Sequence, residues 1–225
     1  MLHERPLPSA VPDGVVAGAV ILGCGVLSIA VITHHPVVHA HTAAQLMRAI
    51  AETGTANRIV HGMLIAFMFA LSFGLSTFAL RQGMQHPANV AGLIAYLAGA
   101  GAVSFAALID GFFIAAVAAA NANASGAALA GVVAVIAGGA AMIQVLTAFG
   151  FVALSCGILL WSLRLVRSAG SVRYAGVLGI AAAVIPPVSV MTSRLHITPG
   201  TLVSTLVPEA LWYAAIGTLM IRRIL

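Results

Sequence analysis

The sequence predicts an all-α fold, a polytopic transmembrane helical bundle of about six spans, and three observations predict it. Of the 225 residues, 61% are hydrophobic and 7% charged, with a mean hydropathy of +1.10, far outside the soluble globular range. Runs of about twenty apolar residues recur between arginines, and about 20 helical residues rising about 1.5 Å each cross the ~30 Å hydrocarbon layer. The runs are continuously apolar rather than alternating, which selects helices over a membrane β-barrel.

The spans fall at 14–33, 59–80, 89–110, 143–163, 174–193 and 201–221, with 1–13 as a cytoplasmic tail and 1–225 as a single integral membrane domain. The first run continues past Cys24, and neither Cys24 nor Cys156 belongs to a CxxC or finger spacing, so both read as small buried residues. Between the first two spans, 34–58 reads as an outer histidine-rich loop. Within it Thr42-Ala-Ala-Gln45 matches a capping box, Leu46, Met47 and Ile50 follow at helical spacing, and Gly54 is a suitable stop. This predicts a short amphipathic helix lying at the interface.

The stretch Asn89 to Leu163 holds one charge in 75 residues, too long for two ordinary spans. Its polar break is Asn121 to Ser125. Either spans three and four are long helices joined there, or 111–142 forms a re-entrant hairpin. That Ala- and Gly-rich hairpin suits close backbone packing and would dock a membrane partner subunit or a second copy of the chain. In span five, Pro186-Pro187 predicts a kink or an unwound turn.

With six spans, Arg5, Arg81, Arg164, Arg167, Arg173, Arg222 and Arg223 share the side of the termini, against Arg48, Arg58 and Arg194 on the other. The positive-inside rule then puts both termini in the cytoplasm and 34–58 on the outer face, in a bacterial inner (plasma) membrane facing the periplasm or exterior. The partner of this surface is the lipid bilayer. The arginines are scattered and lysine is absent, so the basic balance carries no nucleic-acid footprint.

The polar groups are concentrated. Four of eight histidines, His34, His35, His39 and His41, lie in HHPVVHAH. Depth can be counted along each span from its cytoplasmic end. His61 is twenty residues from Arg81, Asp110 twenty-one from Asn89 and Gln144 twenty from Arg164, each roughly 30 Å up. His196 and Arg194 belong to the last outer loop, and Glu209 lies thirteen residues from Arg222, roughly 20 Å up.

Asp110 and Glu209 are the carboxylates within spans, where ionisable groups need partners. Histidine with carboxylate suits a transition metal, Cu or Zn first and Fe after them, rather than Ca or Mg. The candidate ligands are therefore His34, His35, His39, His41, His61, Asp110 and His196, with Gln144, Arg194, Glu209 and Tyr213 as further polar site residues. A helical loop would pair His35 with His39, and an extended one His39 with His41. Heme is the weaker alternative, because His61 alone is firmly inside a span.

The function this implies is a metal-dependent redox or hydrolytic centre, or metal handling, at the outer face. Two alternatives stand beside it: a proton-coupled transporter using Asp110 and Glu209, and a non-catalytic or heme-binding subunit of a larger complex. No GxSxG, HExxH, GxxxxGK[ST] or strand-borne GxGxxG occurs. His86 reads as a surface residue and His3 as part of the tail.

Overall fold

A computed structural model describes residues 13–192 and 199–225, the side chains of 189–192 and 199–205 excepted. Among the described residues there are helices and no strands. They are α1 (Gly14–Ile32), α2 (Ala43–Arg81), α3 (Pro87–Ala120), α4 (Gly126–Leu165), α5 (Gly170–Thr192) and α6 (Pro199–Ile221). Five are long and apolar enough to cross a membrane: α1 to α4, and α5 over Gly170–Val188. The described part of α6, Leu206–Ile221, is apolar but shorter.

Local chemistry sets the ends. Asp13 caps α1 by accepting the Val15 amide at 2.9 Å. Thr42 caps α2 by accepting the Gln45 amide at 3.2 Å, while the Gln45 side chain accepts the His41 amide at 3.1 Å. Pro87 opens α3 at a position whose amide needs no partner. The break at 121–125 is a turn in which the Asn121 side-chain amide donates to the Val117 carbonyl at 2.9 Å.

One sequence expectation changes here, and an open alternative is decided. The helix that begins at Thr42 does not stop at Gly54; it continues for 39 residues to Arg81. A lone glycine inside a helix costs about 1 kcal/mol against alanine, and no proline follows to break the pattern. Gly54 is buried facing Ala115, where an added Cβ would make an ordinary 3.6 Å contact, so the helix runs through it as through any small residue. The outer part of α2 is accordingly not a separate helix. Its Met47 packs with Ile109, Ile114, Ala118 and Ile136, and Ile50 flanks that cluster. The stretch 111–142 divides between two long helices joined at 121–125, the first of the two arrangements the sequence allowed. Pro186 and Pro187 lie inside α5 without ending it.

Each helix packs on its chain neighbours, and α6 returns to α1, closing a ring in sequence order. Small residues set the spacing. A Cβ added at Gly99 would stand 2.7 Å from the Gly150 carbonyl oxygen, and one at Gly18 2.7 Å from the Gly217 carbonyl oxygen. Thus α3 meets α4, and α1 meets α6, nearly backbone to backbone. The end bearing Arg81 and Arg164 is filled by aromatic rings. Trp161 stacks on Trp212 at 6.2 Å, and Phe78 meets both edge-on. At about 1.5 Å per residue α2, α3 and α4 are roughly 50 to 60 Å long, well beyond the ~30 Å a hydrocarbon layer requires. Their far ends form the second, smaller core, and the site lies at its base.

Candidate metal centre

Three side chains from three elements converge: His35 from the link after α1, His61 from α2 and Asp110 from α3. One ligand atom from each lies within 4.8 Å of the other two. His61 Nε2 is 3.2 Å and His35 Nε2 3.7 Å from Asp110 Oδ2. The two imidazoles meet edge-on, with centroids 5.0 Å apart and planes at 77°. His61 is buried, whereas His35 and Asp110 are partly exposed.

Local backbone geometry builds this arrangement. Over Ile109–Ile114 helix α3 widens into a π-helical turn, a form concentrated at functional sites. Asp110 sits in that turn, and the Asn57 side-chain amide donates to its backbone carbonyl at 3.0 Å. Gly111 follows directly. A Cβ there would stand 2.4 Å from His61 Cβ and 2.7 Å from His61 Cγ, so only glycine lets the imidazole lie against the turn.

The hydrogen bonds of His61 fix its chemistry. Its Nδ1 is 2.9 Å from the Asn57 carbonyl oxygen, which can only accept, so Nδ1 carries a hydrogen and donates. In the neutral ring Nε2 is then a lone pair facing a carboxylate oxygen. Two acceptors at 3.2 Å repel unless a positive charge lies between them, and that charge is either a proton on Nε2 or a metal ion.

The spacing accommodates either, the 3.2 Å contact standing at the long end of ordinary hydrogen bonds. Charge-assisted N–H to carboxylate bonds run about 2.7–2.9 Å, shorter than either contact here. Ligands held about 2.0–2.1 Å from a tetrahedral ion stand roughly 3.3–3.4 Å apart, between the 3.2 and 3.7 Å observed. The two histidine–aspartate distances are thus those of a group that could hold a metal. The Asp110 carboxylate, paired with the His35 imidazole at 3.7 Å, also holds it above the ordinary histidine range by favouring its charged form.

Beneath the three residues lies a cavity of about 240 Å³. Ile32, Leu64, Ile65, Met68 and Phe151 contribute to its largely apolar wall, and Ser28, Ser104, Gln144, Thr147 and Glu209 supply polar groups. Of the residues singled out in the sequence, His35, His61, Asp110, Gln144 and Glu209 share this cavity. Tyr213 is buried behind it, its hydroxyl 3.2 Å from that of Tyr96. His34, His39 and His41 are exposed and stand outside the group of three. His34 Nδ1 contacts the Ala30 carbonyl at 2.8 Å. His196 and Arg194 lie outside the described residues.

Asn57 and Gly111 escaped the sequence reading. Asn57 carried a usable signal, because it precedes His61 by four residues and so shares its helical face. Rings in edge contact leave no room for a porphyrin between them, so His35 and His61 do not form the axial pair that heme would need.

The fold and site together define a class: an all-helical protein with five membrane-length apolar helices and a two-histidine, one-carboxylate group able to hold a metal. Compared with known proteins, the chain matches no family model, no curated protein and no solved structure.

Proposed function

We propose that this is an integral membrane protein of a bacterial-type inner membrane, carrying a mononuclear transition-metal centre on His35, His61 and Asp110. In this reading six spans put both termini in the cytoplasm and the centre toward the periplasm or exterior, which the distribution of arginines supports. The observation that carries the reading is the lone pair of His61 Nε2 held against Asp110 Oδ2 by the hydrogen bond of Nδ1 to Asn57.

Two imidazoles and one carboxylate suit Zn or Cu, and also Fe(II) as a facial triad. Three protein ligands leave positions open toward the cavity, as a reactive rather than a structural centre requires. A bound ion would supply Lewis-acid or redox chemistry. The chain's own residues do the rest. Asn57 fixes the His61 tautomer through its backbone carbonyl and holds the Asp110 turn through its side chain, and the apolar walls limit water. The role is a redox or hydrolytic reaction, or metal handling, at the mouth of the cavity.

Titration of chelator-stripped protein with Co(II), followed by its visible absorption, tests this. Saturation near one equivalent, abolished by His61→Ala or Asp110→Asn, is the expected result. Binding that persists in both variants would refute it. A second reading, proton-coupled transport, draws support from Asp110 and Glu209 lining one cavity. Under it, proteoliposomes show proton-driven uptake that Asp110→Asn abolishes and metal removal leaves intact.

A further inference from the structure

The cavity contains a carboxyl that the metal centre does not use. Glu209 on α6 is 1% exposed and lines the same cavity as His61 and Asp110. Its Oε1 is buried and, among the described residues, has no hydrogen-bond partner. Tyr213, one turn along α6, lies against the carboxyl, but its hydroxyl is also engaged with Tyr96 at 3.2 Å. One carboxyl oxygen of a cavity-lining residue is left buried without a donor. A buried carboxyl oxygen without a donor is costly, and such groups in native structures call for a missing partner.

The surroundings narrow that partner. A bare inorganic cation prefers a shell of several oxygens, whereas much of the wall is hydrocarbon: Met68, Val103, Phe151, Leu154 and Leu206. The volume of about 240 Å³ is also far larger than an ion. At about 30 Å³ per water-sized group it holds roughly eight non-hydrogen atoms. One unpartnered carboxyl oxygen on a largely apolar wall matches a short hydrocarbon with a cationic, hydrogen-donating head.

We propose that Glu209 anchors the ammonium group of a small aliphatic amine whose hydrocarbon body occupies the cavity beside the His35, His61 and Asp110 centre. The subsite shares its cavity with the proposed metal but rests on Glu209 and the walls alone. It therefore stands or falls separately from the metal reading.

The test uses full-length protein in lipid nanodiscs, with n-butylammonium, 1-butanol and butyrate as calorimetric probes and empty nanodiscs as the blank. Measurements are made on metal-loaded and chelator-treated samples, so that coordination of the amine to metal is separated from pairing with Glu209. The expected result is saturable binding of n-butylammonium in both samples, at least about tenfold tighter than 1-butanol, with butyrate weaker still. Glu209→Gln, nearly isosteric, removes that preference while metal stoichiometry stays at the wild-type value. Glu52→Gln, an exposed acid on α2, leaves it unchanged.

Equal binding of amine and alcohol by the wild type would overturn the proposal, since it would mean that Glu209 is a neutral acid. An amine preference surviving Glu209→Gln would overturn it as well. The wild-type comparison decides the matter even where the variant folds poorly. Loss of metal with retained amine preference would instead sink the metal reading alone.

Discussion

Gly111→Ala should damage the metal centre without dismantling the bundle. The added Cβ would lie 2.4 Å from His61 Cβ and 2.7 Å from His61 Cγ. Carbon atoms pack at about 3.5–4.0 Å, so the π-helical turn and the imidazole must separate by roughly 1 Å. Metal ligation tolerates about 0.2 Å. Displacing His61 relative to Asp110 by several times that tolerance should lower metal affinity by about 10- to 100-fold, as disturbance of supporting groups does elsewhere. Overpacking of this kind also costs about 1–3 kcal/mol. The assay is competition against a chromophoric chelator, with thermal unfolding followed by circular dichroism on the same sample. Gly62→Ala is the control, because its Cβ would meet Phe112 Cζ at 3.7 Å, an ordinary contact. Wild-type affinity in Gly111→Ala, or an equal loss in Gly62→Ala, would show that the metal centre does not depend on the imidazole lying against Gly111.

Other perturbations separate the groups that hold the site from those near it. Asn57→Ala removes the donor to the Asp110 carbonyl but keeps the backbone acceptor of His61. It should weaken metal binding about tenfold and destabilise the fold by about 0.5–1.5 kcal/mol in denaturant titration. His39→Ala and His41→Ala alter exposed residues outside the group of three, so isothermal titration should return the wild-type stoichiometry for both. For pH, the Asp110 carboxylate raises His35 above its ordinary value of 6.5. In metal-free protein the stabilisation from that pair is complete below 6.5 and is lost as pH rises through the raised value. Metal binding needs the neutral imidazole, so affinity should climb over that same window. An affinity flat with pH there would contradict His35 as a ligand.

Much of the site was legible because helices act as rulers. A rise of about 1.5 Å per residue fixed the heights of His61, Asp110 and Gln144 before any packing was known, and all three line one cavity. What the ruler could not choose was the loop ligand. His34, His35, His39 and His41 flank Pro36, and whether that segment is helical or extended depends on contacts made elsewhere. The bundle selects His35, which is brought against His61 and Asp110 just past the end of α1.

Two other features were hidden for a related reason. Gly54 has the chemistry of a helix stop, and only its burial inside the bundle shows that the helix runs on through it. The π-helical turn leaves no periodicity of its own in six residues, and Gly111 gains meaning only from the imidazole laid against it.

Elemental analysis of full-length protein purified without chelator asks whether His35, His61 and Asp110 hold a metal. About one equivalent of Zn, Cu or Fe per chain is expected, falling to background in Asp110→Asn. Less than about 0.2 equivalents in the wild type, with no rise after incubation with each metal, would contradict it.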